Sequence, residues 1–451
     1  RVLSAPPAQV KALCEGQTPS LQAAANRRAG RARPVSDRKM TDAIEIIPSR
    51  LYWAAMPATP TESAKSHYFS IDDELVYDPF FCDFGPLNLG MVCRYCEKLE
   101  EKLRDPALVA KRIIHVCSQD MKKRANAACL ICAYQVIVLG KAAHMAYEPF
   151  EGINPPLMPF RDASSGTCTF HLTIKDCLEA LQISIEKRWF DWTRFNVESY
   201  DYFSQVDHGD MNWIIPAKFL AFAGPSPTST DADGFPAFTP EDYVPVFLQA
   251  GIGLTVRLNK PCYDRRRFTD QGIRHVDLYF KDGSCPCRSI ISKFLHVTES
   301  ERGAVAVHCK AGLGRTGTLI GLYAMKNHFM PARAFIAWNR MCRPGSVLGP
   351  QQHFLLSMEA EMFQAGIAAL GPRWSSRVPP DATDAAVLQQ AASLQLIDDN
   401  KAEQYGGDDG QGERLCNAKR NKQGAEVPHV ASVANNHWKQ QAPMERPTAA
   451  R

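Results

Sequence analysis

Between about residues 45 and 370 the apolar positions fall into short runs of strand character and longer stretches of helical period. Arg112 to Val116 is a β-rich run, and Ala125 to Leu139 behind it has the spacing of a helix. Ala304 to His308 followed by Thr316 to His328 repeats that order. Both read as strand, loop, helix. They align as a weak internal repeat in which His115, Cys117 and Arg124 answer His308, Cys309 and Arg315. A further apolar strand is predicted over Val276 to Phe280. The alternation implies an α/β fold built as two related domains.

The ends lack this periodicity. Residues 1–44 mix Ala, Pro and Arg, with Arg27, Arg28, Arg31, Arg33 and Arg38 close together, the composition of a disordered basic arm. From about Gly371 onward Gln, Asn, Asp, Gly and Ala dominate, and only Ala385 to Ile397 is apolar enough for a short helix.

At 451 residues with 45% hydrophobic content, the chain can bury two cores. A formal net charge of +4 is too mild to name nucleic acid as a partner. The fifteen cysteines are scattered through apolar segments, so reduced intracellular thiols are expected and no disulfide is required. The longest apolar stretch, Ala128 to Leu139, is too short to span a bilayer, and a soluble protein is expected. The chain begins at Arg1 rather than Met, which leaves its true start open. Cys93/Cys96 and Cys129/Cys132 have zinc-like spacing but lie in helix-like apolar segments, so they read as buried thiols and no metal is assigned.

The chemistry concentrates in Val307-His308-Cys309-Lys310-Ala311-Gly312-Leu313-Gly314-Arg315-Thr316-Gly317, after the Ala304 to His308 strand and before a helix. Gly312 and Gly314 permit backbone conformations that turn successive N–H groups toward one centre, and the following helix adds the positive end of its dipole. Lys310, Ala311, Gly312, Leu313, Gly314 and Arg315 would then form an anion cradle. The field of such a ring favours a thiolate, the nucleophilic form of cysteine, and Cys309 stands at its base. Arg315 can close the ring with a planar guanidinium that matches phosphate oxygens. Thr316 can hydrogen-bond the cysteine sulfur, and His308 can order the loop through backbone contacts. By contrast, the first repeat's loop, Cys117 to Arg124, has no glycine and one residue too many for the same wrap. Only the second domain is expected to be catalytic.

Displacing an alkoxide needs an acid on a loop before the cradle, and Asp282 in Phe280-Lys281-Asp282-Gly283-Ser284-Cys285-Pro286 fits. Asp277 is the rival, placed inside the preceding strand. With His67 to Asp72, Asp83 to Leu89, Lys123 to Ala128, Pro159 to Ala163, Asn212 to Pro216, Val256 to Lys260, Arg267 to Asp270 and Cys342 to Gln352, the chain over roughly Arg50 to Phe363 resembles the cell-division-cycle protein 14 dual-specificity phosphatases. These belong to the protein tyrosine phosphatase superfamily.

The resemblance implies tandem phosphatase-like α/β domains, each a central mixed sheet flanked by helices. The layout is a disordered arm over 1–44, a non-catalytic domain over 45–195 that helps build the substrate groove, and a linker helix over 196–212. A catalytic domain over 213–370 and a disordered tail over 371–451 complete it. The same resemblance implies Cys309 as nucleophile, Arg315 as phosphate ligand and Asp282 as general acid. Gln351 or Gln352 would place the hydrolytic water. It implies phosphoserine followed by proline, with a basic residue beyond, as the preferred site; phosphotyrosine and phosphothreonine are also substrates. Substrates would be phosphoproteins of proline-directed kinases, in mitotic exit, cytokinesis or cilium and centrosome control. Family locations span nucleus, nucleolus, cytoplasm, spindle pole and centrosome or basal body. Asp201 and Asp210 are the expected groove acids, while Ser204 stands where a second acid is usual. Cys285, Cys287 and Arg288 also depart from the family, and two thiols near a reactive cysteine raise reversible oxidation as a hypothesis. No cofactor is called for, and oligomeric state is not legible. The rivals are a phosphoinositide phosphatase, weakened because Leu313 stands where a second cradle lysine would be, and a non-catalytic phosphate-binding scaffold.

Overall fold

Two sheets of related topology organise the chain in a computed structural model that describes residues 43–231, 234–370 and 410–423. The basic arm, apart from its last residues, and the short helix expected over Ala385 to Ile397 lie outside the described residues.

In the first sheet β1 (Ile44–Ile47) pairs antiparallel with β2 (Leu51–Ala55), and β4 (Arg112–Cys117) lies parallel between β2 and β3 (Ser66–Phe69). In the second, β5 (Met211–Ile215) pairs antiparallel with β6 (Phe219–Phe222). There β9 (Ala304–His308) lies parallel between β6 and β7 (Ile252–Arg257), and β8 (Arg274–Asp277) extends the far edge. The strand before each loop is thus the enclosed strand of its sheet. A parallel strand covered on both faces reads as a continuous apolar run, which is why Ala304-Val305-Ala306-Val307 shows no alternation and every residue of β9 is buried.

Helices α1 (Leu89–Arg104), α2 (Met121–Ile137), α3 (Ala143–Tyr147) and α4 (Ile174–Glu186) belong to the first half. A short α5 (Val197–Ser204) leads into α6 (Pro240–Gln249), α7 (Arg266–Thr269), α8 (Arg288–Ser300), α9 (Gly314–His328), α10 (Ala332–Cys342) and α11 (Pro350–Leu370). One hydrophobic cluster runs through both halves, from Trp53 and Leu130 to Phe294 and Trp338. Across the join α4 packs on α10, and Arg333 of α10 donates from Nε and Nη2 to Asp176 of α4, both at 2.8 Å. Trp338 Nε1 donates to the Ile214 carbonyl at 2.8 Å, pinning α10 to β5.

Several sequence expectations shift. The strand placed over Val276 to Phe280 is β8, and it ends at Asp277 because its partner β7 ends at Arg257, the residue opposite. The linker expected to be helical over 196–212 is α-helical only over Val197–Ser204; Gly209 turns the chain at a φ of 97°, and Met211 already opens β5. The expectation of a disordered tail over 371–451 fails at α12 (Gln411–Gln423), a helix whose Leu415 is buried against residues far away in sequence. The expectation of reduced thiols fails at Cys82, which is disulfide-bonded, whereas thirteen described cysteines are free. Cys93, Cys96, Cys129 and Cys132 are buried thiols on α1 and α2. Among the described residues no group of three or more His, Cys, Asp or Glu side chains could hold a metal, and no helix is long and apolar enough to cross a membrane.

Candidate active site

The loop from His308 to Gly317 joins β9 to α9, and its carbonyls are tied down one after another. The Cys309 carbonyl accepts from His308 Nδ1 at 3.0 Å, and that of Lys310 accepts from the Gly224 amide at 2.9 Å. The Ala311 carbonyl accepts from Arg343 Nη2 and that of Gly312 from Arg343 Nε, both at 2.9 Å. In a trans peptide the N–H points opposite to the C=O. Pinning these carbonyls outward therefore turns the amides of Lys310, Ala311, Gly312 and Leu313 toward the interior of the loop. That is an anion cradle at the N-terminus of a helix.

Gly312 has a φ of +66°, and a Cβ there would run into the Phe222 carbonyl. Gly314 serves differently from expectation. Its φ is not positive; instead a Cβ there would come within 2.8 Å of Gln351 Oε1. Cys309 is 3% exposed at the base of the loop, and Thr316 Oγ1 is buried with no hydrogen-bond partner among the described residues.

Arg315 is buried, donates from Nη1 to the Phe280 carbonyl at 3.0 Å, and has Nη2 3.3 Å from Asp282 Oδ1. Asp282 thus lies at the cradle's rim. The rival Asp277 is occupied elsewhere, accepting from Arg257 Nε at 2.6 Å. Gln351 Nε2 donates to the Ser284 carbonyl at 3.1 Å, tying the acid-bearing loop to the start of α11. Its neighbour Gln352 turns away: its Oε1 accepts from Arg340 at 2.5 Å and its Nε2 donates to Asp162 at 2.9 Å. Of the two glutamines, only Gln351 lies against the cradle.

The two groove acids are separated. Asp201 is ion-paired with Arg94 of α1, where it joins the halves. Asp210 accepts from Arg343 Nη1 at 2.6 Å and pairs with Lys419 of α12. Burial works against its charge, yet Arg343 and Lys419 more than offset that and hold the carboxyl below its usual range. Ser204 Oγ donates to the Tyr200 carbonyl at 2.6 Å.

Sequence reasoning missed Arg343 as the clamp of the cradle, although its Arg-Pro-Gly segment was in view; nothing local joins position 343 to 312. It also missed Tyr263. The Tyr263 hydroxyl lies 2.7 Å from His308 Nε2 and 3.0 Å from His275 Nε2. A carbonyl only accepts, so His308 Nδ1 carries its hydrogen toward the Cys309 carbonyl; Nε2 then accepts from Tyr263, which accepts from His275. Burial keeps both imidazoles neutral, pushing His275 down to about 4 and His308 well below the usual range. Tyr263→Phe leaves two buried ring nitrogens unpartnered and is expected to cost about 1 to 3 kcal/mol, read as a lowered urea midpoint. Burial also pushes the Cys285 thiol up to about 11, which keeps it protonated and slow to oxidise at neutral pH.

The first repeat shows why its loop is a poor cradle. Asp120 caps α2 with its own carboxylate, accepting the amides of Lys122 at 3.0 Å and Lys123 at 2.9 Å, and Asp72 accepts the Ser118 amide at 2.7 Å. The anion position is filled from within. Arg124 donates to the Pro155 carbonyl at 2.5 Å, and burial pushes the Cys117 thiol up to about 12. What the first half contributes is wall: Phe80 and Ala163 pack with Ala311, Leu313 and Leu348 beside the cradle.

Two family models match the chain: the N-terminal half of dual specificity protein phosphatases over residues 45–184 and the dual specificity phosphatase catalytic domain over 249–361. Human dual specificity protein phosphatase CDC14A is 50% identical over 329 residues, covering 73% of this chain and 55% of that protein. The CDC14AB phosphatase of Danio rerio is 49% identical, covering 73% of this chain and 54% of its own length. Human CDC14C is 44% identical over 320 residues, covering 71% of this chain and 72% of that protein. The chain therefore spans about 55% of the length of the first of these relatives.

Proposed function

We propose, from the premise that this chain belongs to the CDC14 family of dual specificity phosphatases, that it hydrolyses phosphoserine in proteins through a cysteinyl-phosphate. The observation that carries the reading is the run of outward-pinned carbonyls from Cys309 to Gly312, which leaves inward amides for a phosphate. The Cys309 sulfur attacks phosphorus in line, and the phosphorus–oxygen ester bond breaks. The departing seryl oxygen takes the proton of the Asp282 carboxylic acid. Arg315 and the loop amides hold the phosphoryl oxygens throughout. In the second step the Asp282 carboxylate accepts a proton from water, the water oxygen attacks phosphorus, and the sulfur–phosphorus bond breaks. The Thr316 hydroxyl eases the sulfur's departure, and Gln351, rather than Gln352, places the water.

The preferred site is phosphoserine followed by proline, so the substrates are products of proline-directed kinases. Phe80, Ala163, Leu313 and Leu348 border the cradle with apolar surface, which suits a proline ring beside the phosphoserine. Asp201, in a half-exposed pair with Arg94, and Asp210, held by Arg343 and Lys419, are the acids that a basic substrate residue would have to win from their present partners.

The test is a panel of phosphoserine peptides differing in the following residue, run beside a phosphoinositide. Turnover of phosphoserine-proline peptides and none of the lipid is expected; faster turnover of the lipid would overturn the reading. Asp282→Asn should lower kcat about a hundredfold on peptides with an unactivated seryl leaving group. It should matter less for an aryl phosphate, whose leaving oxygen needs little protonation.

A further inference from the structure

We infer that Asp162, a residue of the first half, is a positioning residue for the second chemical step: by fixing the start of α11 it holds Gln351 where the water is placed, an assignment that rests on the phosphatase reading above.

The segment 343–349, between α10 and α11, backs the cradle. Besides the two Arg343 tethers, its Val347 amide donates to the Leu313 carbonyl at 3.4 Å. Its backbone is not relaxed. Gly345, Val347 and Gly349 have φ values of 84°, 56° and 52°. For Val347, β-branched and fully buried, that conformation is costly and persists only where the surroundings over-determine it.

Two buried side chains supply that constraint. Arg340 of α10 donates from Nε to the Ser346 carbonyl at 3.1 Å, and from Nη2 to the Val347 carbonyl at 2.9 Å and to Gln352 Oε1. Asp162 reaches the same segment from the first half: its Oδ2 accepts from the Gly349 amide at 2.7 Å and from Gln352 Nε2 at 2.9 Å. Its Oδ1 accepts from the Ser164 hydroxyl at 2.8 Å. Burial works against the charge, yet the Gly349 amide, the Ser164 hydroxyl and the Arg340 charge more than offset it and hold the carboxyl below its usual range. Asp162 is itself anchored, because Phe160, two residues earlier, exchanges backbone hydrogen bonds with Leu172 at 2.8 and 2.9 Å.

The consequence for Gln351 is angular. Successive residues on a helix point about 100° apart, so turning Gln352 onto Asp162 and Arg340 leaves Gln351 facing the cradle. There its Nε2 donates to the Ser284 carbonyl and its Oε1 accepts from the Leu348 amide at 3.4 Å. Without the Asp162 carboxylate the Gly349 amide and Gln352 Nε2 lose this acceptor, and the first turn of α11 can rotate and carry Gln351 away from the water. Cys309, Arg315 and the Arg343 tethers lie outside this network. The step affected is therefore hydrolysis of the cysteinyl-phosphate, not its formation.

The experiment follows 4-nitrophenyl phosphate hydrolysis by the whole chain, in steady state and by rapid quench, for wild type, Asp162→Ala, Asp162→Asn, Gln352→Met and Gln351→Ala. Because kcat/KM reports events only up to departure of the leaving group, a slowed second step lowers kcat and KM together. Asp162→Ala and Gln351→Ala should each lose about tenfold in kcat, keep kcat/KM within about twofold of wild type, and release a stoichiometric burst of nitrophenol. Asp162→Asn, which keeps an oxygen for the Gly349 amide, should recover most of the loss. Gln352→Met cuts the same tether from the second half without removing a buried charge, so it decides the matter if Asp162→Ala does not fold; about a threefold fall in kcat with the same split is expected. Wild-type kinetics in whichever of these two variants folds, or equal falls in kcat and kcat/KM with no burst, would overturn the positioning role and leave the phosphatase reading intact. Absence of nitrophenol release by wild type would overturn the phosphatase reading, and the positioning role with it.

Discussion

Cys309→Ser is expected to hydrolyse phosphopeptide at least about a thousandfold more slowly than wild type while still binding it. The substitution exchanges sulfur for oxygen in a side chain that is 3% exposed, so the loop has no steric reason to move. The tethers holding the Cys309, Lys310, Ala311 and Gly312 carbonyls do not involve the sulfur, so the inward amides remain. What disappears is the nucleophile, because a serine hydroxyl keeps its proton at neutral pH, and the adjoining imidazole, His308, is committed to the Cys309 carbonyl and Tyr263. Calorimetry with a phosphoserine-proline peptide and a single-turnover assay would separate the two effects. Retained hydrolysis in Cys309→Ser contradicts the covalent route.

Arg343→Ala is the second large effect, and it falls on a side chain that would never touch substrate. Arg343 is buried and spends its donors on two cradle carbonyls, on Asp210 and on Asn212 Oδ1 at 2.8 Å. Removing it leaves the buried Asp210 carboxylate to Lys419, a loss of up to about 3 to 5 kcal/mol where one partner of a buried pair is deleted. It also frees the Ala311 and Gly312 peptides to rotate, so kcat/KM should drop roughly a hundredfold or more even in the molecules that remain folded. Arg343→Lys separates the two losses. A lysine returns a positive charge to Asp210 but cannot reach both carbonyls with a planar fork, so it should recover much of the thermal midpoint and little of the activity. Equal recovery of both would show that the carbonyl tethers are unimportant.

The cradle was legible in sequence because its parts are contiguous: a cysteine, two glycines, an arginine and a hydroxyl between a buried strand and a helix report one loop whatever surrounds it. Strand β9 matched its expected span for the same local reason, an unbroken apolar run. Asp282 was legible from the Gly and Pro around it. The tethers were not, since Arg343 reaches 31 residues back to Gly312, and Asp210 lies 133 residues before Arg343. Nor was α12, whose sequence has too few apolar residues to announce a helix and acquires its buried face only from a surface assembled elsewhere. Asp201 was expected in the groove from the family resemblance alone, and its pairing with Arg94, more than a hundred residues away, was not legible in the sequence.

The hydrophobic cluster shared by both halves sets how the molecule can come apart. With Trp338, Ile214, Leu130 and Trp53 in one cluster, neither sheet can melt and leave the other a sealed interior. The first half, whose own loop is stoppered by its carboxylates, therefore acts as the missing wall of the second half's interior. A ligand that tightens the loop from His308 to Gly317 is therefore expected to raise one shared melting point, and damage to β1 or β2 to loosen the far sheet as well.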